Sequence, residues 1–326
     1  MKSEMIDNIL ANSWNLSDFR KTIIMNGEST LNYLIETKEA KYIFRNAGRY
    51  RNYVNFQVNL LDYLRSNHFP YETPMIIKTN EDASFLQVAD DIYLLYRYIE
   101  GATLKPSDYS AYAFEIGQCI GSFHRITQEM IDYDPKVRNK DIFDFCYIEN
   151  SILNSLTRIE SQGEKDAVDD LFIKTFSEGV KPYSNQIDSV ATERYQRADG
   201  IPCHGDFNGE NFVIRNRKLI GLIDFGGVII APKVFDVQNC LQNVACSNGE
   251  FDSDIAEKII RGYCKEISLN QSELAAIPSI LIADLLRTLA WIFELRADLD
   301  HRIKPSEAIF RLKLLIVLKN DQKLFI

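Results

Sequence analysis

Asp206, Asn211 and Asp224 combine side-chain types and spacing that can do chemistry. They stand in His204-Gly205-Asp206-Phe207-Asn208-Gly209-Glu210-Asn211 and in Asp224-Phe225-Gly226, with five residues from the first aspartate to the asparagine and thirteen more to the second aspartate. Residues 212–215 are β-prone, Asn216-Arg217 supplies a turn, and residues 219–223 are a second apolar run that ends on Asp224. A hairpin of this kind folds Asn211 and Asp224 back to one end, within reach of one cation. Mg2+ and phosphate oxygens are hard, so such a site is built from carboxylate and amide oxygens. Asp224 and Asn211 provide them. Asp206, lying before the loop, can orient an acceptor hydroxyl and take its proton as a bond to phosphorus forms. His204 braces the loop by hydrogen bonding.

With these residues in place, the sequence resembles the aminoglycoside phosphotransferase and choline kinase family, small-molecule kinases with a protein-kinase-like fold that include homoserine-kinase-like members. That family carries a His-Gly-Asp-x-x-x-x-Asn loop followed by Ile-Asp-Phe or Ile-Asp-Trp, and both stand here, the second as Ile223-Asp224-Phe225. The resemblance implies Asp206 as the catalytic aspartate, Asn211 and Asp224 as metal ligands, and Asp236 as a structural brace of the loop. It also implies ATP, with GTP left open, and Mg2+. The acceptor it implies is a hydroxyl on an amino alcohol, a homoserine-like compound, a sugar or an aminoglycoside.

The elements that must position these residues follow in an α+β arrangement of two lobes, residues 1–100 for nucleotide and 101–326 for catalysis and acceptor. In the first, segments 21–25, 31–36 and 41–45 read as strands, 55–67 as a helix, and 84–88 and 92–99 as two more strands, giving a five-stranded antiparallel sheet. The resemblance places the turn at 27–30, with Ser29, over the nucleotide phosphates; a plain hairpin turn is the alternative. It puts Arg45 where kinases keep a phosphate-holding lysine, and Gln57 where a glutamate pairs with that lysine. An Arg45–Gln57 contact would be a hydrogen bond rather than an ion pair. Residues 96–99, with Tyr98 and Ile99, correspond to the hinge that pairs with the adenine edge, or else to an ordinary interior strand.

The second lobe reads as helical over 110–127, 141–158, 164–176, 235–244, 252–266, 271–299 and 305–318. His124 ends the first of these and is assigned no role. In the 271–299 segment, Asp284, Arg287, Trp291, Glu294 and Asp298 recur at steps of three and four, which puts them along one stripe. Carboxylates around a tryptophan can hold a cationic or polyhydroxy acceptor. A solvated face with an Asp284–Arg287 intrahelical pair is the alternative.

Composition narrows the partners. A net charge of −9 argues against a nucleic-acid backbone, which needs clustered lysine and arginine. The six cysteines form no C-x-x-C pair and no zinc spacing, so buried reduced thiols are expected. With no apolar segment of signal-peptide length and no run of about eighteen apolar residues, a soluble cytoplasmic protein without membrane contact is expected; the oligomeric state is left open. Arg45 and Gln57 also motivate a second reading, a nucleotide-binding pseudokinase with a regulatory or scaffold role. A protein kinase is disfavoured, because Asn208 stands where a lysine usually follows the catalytic aspartate and no Ala-Pro-Glu follows Asp224.

Overall fold

Ile92-Tyr93-Leu94-Leu95-Tyr96 is apolar at every position, and a strand with this pattern must be covered on both faces. The computed structural model describes residues 3–24, 32–48, 54–131, 142–246, 250–298 and 304–320. The first elements are α1 (Ser3–Trp14), β1 (Arg20–Ile24), β2 (Asn32–Glu36), β3 (Lys41–Asn46), α2 (Val54–Ser66), β4 (Met75–Ile76), β5 (Leu86–Val88) and β6 (Asp91–Arg97). The order β1-β2-β3-β6 is antiparallel throughout, and β4 and β5 share the remaining edge of β6, one at each end. The sheet therefore has six strands where the sequence predicts five. The extra one, β4, is two residues long and too short to show a period of two.

Each face of the sheet is covered by one helix. Tyr93 and Leu95 share a core with Phe44 and with Ile6, Ile9, Leu10 and Trp14 of α1. Ile92, Leu94 and Tyr96 point the other way, into the core that holds Phe56, Leu61 and Leu64 of α2. Arg45 pairs with Leu94 across β3 and β6, so it projects from that second face.

The rest of the chain is mainly helical: β7 (Ala102–Thr103), α3 (Tyr109–Thr127), α4 (Phe145–Glu160), α5 (Ala167–Thr175), α6 (Lys181–Ser184), α7 (Ser189–Arg197), β8 (Ile201–Cys203), β9 (Phe212–Arg215), β10 (Lys218–Leu222), β11 (Ile229–Ala231), α8 (Val234–Cys240), α9 (Ser253–Glu266), α10 (Gln271–Ala297) and α11 (Pro305–Asn320). The two parts form a two-lobed protein-kinase-like fold. Glu72, in the segment between α2 and β4, stitches them together: its N–H donates to Ile220 O at 2.7 Å and its carbonyl accepts from Leu222 N at 2.9 Å.

Two packings organise the helical part of the chain. Helices α3 and α9 touch backbone to backbone, because a Cβ on Gly117 would lie 2.0 Å from Ile259 O and one on Gly262 would lie 2.0 Å from Phe114 O. Any larger residue there forces the helices apart. Helix α10 is long and apolar enough to cross a membrane by length and composition, yet 78% of its most apolar stretch is buried inside the fold. Its Phe293 stacks on Phe172 of α5 with ring centroids 3.6 Å apart.

Arg296 of α10 is buried and fixes the start of α5, its Nε donating to Asp169 Oδ1 at 3.0 Å and its Nη2 to Asp166 Oδ2 at 2.7 Å. Burial pushes the Asp166 carboxyl up, but the Asp169 backbone N–H and the Arg296 guanidinium outweigh it and hold it below the usual carboxylate range. A lowered folded-state value means stability that is present above the unfolded value and lost as pH falls. Arg296→Met is expected to cost about 3 kcal/mol at neutral pH by stranding the buried Asp169 carboxylate, the half-exposed Asp166 adding a smaller share that solvent screens. That Asp166 share of the gap from wild type should close below about pH 4, as the carboxylate protonates in the unfolded state. Urea denaturation at the two pH values checks this; a gap that does not depend on pH would contradict it.

Of the six cysteines, Cys119, Cys203, Cys240 and Cys246 are buried as expected, whereas Cys146 and Cys264 are exposed on the helices that carry them. All are free thiols.

Candidate active site

The hairpin that brings the chemistry together is made by its turn. Asn216 and Arg217 both adopt positive φ, 54° and 60°, the left-handed pair whose twist matches two antiparallel strands. Strands β9 and β10 then pair with a register break between Leu219 and Gly221, and Ile223 N donates to Asn211 O at 2.9 Å. The strand ends that precede Asp224 and follow Asn211 are thereby tied side by side. Asp224 itself has φ 60°, a conformation that aspartate tolerates better than most residues.

One cavity of about 420 Å3 is lined by Asp206, Asn208, Asn211 and Asp224 from the second part of the chain and by Arg45, Gln57, Tyr96, Tyr98 and Ile99 from the first. Within it, both oxygens of Asp206 accept from amides: Asn208 Nδ2 reaches Oδ1 at 3.0 Å and Asn211 Nδ2 reaches Oδ2 at 3.0 Å. Asn211 Nδ2 also donates to Asp206 O at 2.8 Å, closing the loop on itself. Burial pushes the Asp206 carboxyl up, and the charge of Asp224 adds to the shift. At Asp224 burial pushes the same way, but the Arg45 guanidinium, with Nη1 2.5 Å from Oδ1, outweighs it and holds that carboxyl below the usual range.

These residues fit a hard divalent cation. The Asp224 carboxylate and the Asn211 amide oxygen are donors of the right type lining the cavity, and the Asp206 carboxyl, pushed up by burial and by the neighbouring Asp224 charge, would be relieved by added positive charge.

A buried hydrogen-bond chain holds the loop from behind. Asp236 of α8 accepts from His204 N at 2.7 Å and from Gly205 N at 2.9 Å, the two residues before Asp206. His124 Nε2 lies 3.0 Å from Asp236 Oδ2, and its Nδ1 lies 2.9 Å from the Tyr263 hydroxyl. With the proton on Nε2, the ring donates to the carboxylate and accepts from the tyrosine. His124 is the member that the sequence leaves without a role, and nothing local in the sequence marks it. Asp236, His124 and Cys203 also form a compact trio of ligand-type atoms within 4.8 Å of one another, but the carboxylate and the ring nitrogens are already engaged in hydrogen bonds. His204 stacks against Phe207 with centroids 4.7 Å apart, and its Nε2 donates to Ile223 O at 3.0 Å, tying the loop to the residue before Asp224.

Three sequence-predicted residues sit differently from their expectation or outside the description. Gln57 does not bond Arg45: its Nε2 donates to the Tyr96 hydroxyl at 2.8 Å, while Arg45 goes to Asp224. The reason is charge, since a guanidinium donor binds a carboxylate more strongly than a neutral amide oxygen. Asp284 is buried rather than on a solvated face, accepting from Arg287 at 2.6 Å and from Gln238 Nε2 at 3.3 Å. Ser29 and the turn at 27–30 lie outside the described residues. Arg287, Trp291 and Glu294 are half-buried along α10, with Glu294 Oε2 accepting from the Tyr147 hydroxyl at 3.0 Å. Among the described residues, the cavity lining includes none of Asp284, Arg287, Trp291 and Glu294.

Comparison with known proteins decides the family. A model of the phosphotransferase enzyme family, APH, matches residues 22–276. The chain belongs to that family. As a member it is a phosphotransferase, a kinase acting on an alcohol group of a small molecule. No curated protein sequence matches it. Among solved structures, the amicoumacin kinase hAmiN in complex with AMP-PNP, Ca2+ and Ami is similar with TM-score 0.69 at 15% identity, over 99% of this chain and 94% of that one. Spectinomycin phosphotransferase APH(9)-Ia with ADP and spectinomycin gives TM-score 0.65 at 14% identity, over 100% and 97%. Choline kinase from Cryptosporidium parvum Iowa II gives 0.62 at 15%, over 98% and 96%. These similarities show the fold shared by this phosphotransferase and kinases of diverse small molecules.

Proposed function

We propose that this phosphotransferase moves the γ-phosphoryl group of ATP to the hydroxyl of an amino alcohol or a similar small polar acceptor. The observation that supports it most is the single cavity onto which Asp206, Asn211, Asp224, Arg45 and the segment with Tyr98 and Ile99 all open. In this reading residues 1–100 hold nucleotide and residues 101–326 carry catalysis. Backbone groups at Tyr98 and Ile99 face the adenine edge, and Arg45 reaches phosphate oxygens in fork geometry. Asn211 and Asp224 are the residues that hold Mg2+, whose chemistry is neutralisation of phosphate charge. Asp206 orients the acceptor hydroxyl and takes its proton, a role helped by the raised carboxyl, which brings its basicity nearer to the working pH. His204 and Asp236 brace the loop.

On the acceptor side, the half-buried face of α10 with Arg287, Trp291 and Glu294 is the candidate wall, and Asp284 serves it by fixing Arg287. The net charge of −9 suits a cationic acceptor and a cytoplasmic protein that binds neither nucleic acid nor membrane. The choice of amino alcohols follows from that charge and from the acceptors named for several solved relatives, an aminopropanol kinase and an ethanolamine kinase from Plasmodium vivax among them. The test is ADP release with Mg2+ and ATP across a panel of amino alcohols, homoserine, sugars and aminoglycosides. Acceptor-dependent release with an amino alcohol, at least tenfold over the acceptor-free rate, is expected on the scale of 1–100 turnovers per second, roughly that of kinases. Turnover confined to sugars would overturn the acceptor class.

A further inference from the structure

We propose that Arg45 holds the Asp224 carboxylate until nucleotide phosphates take the guanidinium over, so that the divalent cation enters with the nucleotide and not ahead of it. This rests on the reading of Asp224 as a metal ligand. Arg45 Nη1 lies 2.5 Å from Asp224 Oδ1, and its side chain is only 8% exposed. The guanidinium fits there because position 226 is glycine: a Cβ on Gly226 would lie 2.4 Å from Arg45 Nη2. Gln57, the α2 residue facing the same cavity, is neutral and donates to Tyr96 at 2.8 Å, so it offers no carboxylate to draw Arg45 away.

The consequence is a competition for one oxygen. A guanidinium does not deprotonate in the working range, so it stays on Asp224 at every physiological pH. A cation approaching Asp224 Oδ1 without nucleotide must displace a positive charge already bonded there. Phosphate oxygens entering the cavity offer the guanidinium two-pronged, charge-assisted bonds that match or exceed the one it leaves. Asp224 is then released to the cation that arrives on the same phosphates. In kinases that use a lysine, the compact ammonium on a flexible stem has no planar fork to seat in this way. Gly226 is thus a positioning residue, acting on the metal ligand through Arg45.

The test measures binding, not turnover, with the full chain and Mn2+ as probe, titrated by the electron paramagnetic resonance of free Mn2+. Wild type should bind Mn2+ weakly alone and at least tenfold more tightly with AMP-PNP. Arg45→Met and Gly226→Ala should both tighten nucleotide-free Mn2+ binding, on the order of tenfold, the scale of one charge-assisted hydrogen bond. Both should also weaken AMP-PNP binding. Gly226→Ala crowds the guanidinium without removing it, so it carries the test if Arg45→Met does not fold. Nucleotide-free Mn2+ affinity equal in wild type and the folded variants would overturn the proposal. Asp224→Ala separates this from the underlying reading: if it abolishes Mn2+·AMP-PNP binding while Arg45→Met leaves Mn2+ affinity unchanged, only the Arg45 proposal fails. If Mn2+·AMP-PNP binding survives Asp224→Ala, the metal-ligand reading fails and the Arg45 proposal with it.

Discussion

Asp206→Ala is expected to lower the turnover number about a thousandfold while nucleotide affinity stays within a few fold of wild type, because a general base contributes about 10²–10⁴ to rate and little to ground-state binding. The structure gives a reason for the split. Asp206 lines the cavity, but Asp224 and not Asp206 bonds Arg45, so the nucleotide side of the site survives the substitution. Asn208 and Asn211 each lose a carboxylate acceptor, and both are able to turn to solvent or to the loop carbonyl that Asn211 already bonds. Steady-state kinetics with a nucleotide titration resolve the two effects. A fall in nucleotide affinity that matches the fall in turnover would place Asp206 in phosphate or metal binding instead.

Asp236→Ala is the second large effect, on both stability and rate. The carboxylate is fully buried and accepts from His204 N, Gly205 N and His124 Nε2 at 2.7–3.0 Å. Removing it strands three donors away from water, each at a cost of about 1–3 kcal/mol before relaxation. A net loss of about 4 kcal/mol is expected, as for breaking other buried ionic networks. That is a large share of a typical domain's stability, about 5–15 kcal/mol. Tyr263→Phe, which removes only the outer bond to His124 Nδ1, should cost about 1 kcal/mol. Urea midpoints with unchanged slopes measure both. Near-equal losses for the two variants would show that Asp236 is not the anchor of the network.

The β9–β10 hairpin was legible because its parts are close in sequence: the turn residues Asn216-Arg217, the flanking apolar runs and the spacing of Asp206, Asn211 and Asp224 all sit within one stretch. The strands of the first sheet were legible for the same reason, apart from the two-residue β4, though not the order that sets β3 beside β6. Helix α1 was readable but unread. Ile6, Ile9, Leu10 and Trp14 recur at steps of three, one and four, and all four are buried. Other features had no local signal. His124 meets Asp236 across 112 residues of sequence, and the close approach of α3 and α9, which depends on glycines in both, brings Tyr263 to its other ring nitrogen. The partner of Gln57 turned on a tertiary competition between Arg45, Asp224 and Tyr96 that no spacing rule decides. The α10 stripe was correctly periodic, but periodicity does not tell which neighbour a charged face meets, and α8 supplied Gln238 to bury Asp284.

Transfer of the γ-phosphoryl group in this cavity to a small-molecule hydroxyl can be followed directly. Its most direct test is to incubate the protein with Mg2+, an acceptor from the panel and ATP labelled in the γ-phosphoryl group, then to follow the label by mass spectrometry. Label is expected on the acceptor hydroxyl with wild type and none above background with Asp206→Ala. Nucleotide that binds tightly while the label stays on ATP, with every acceptor offered, would contradict it and leave a nucleotide-binding protein without transfer.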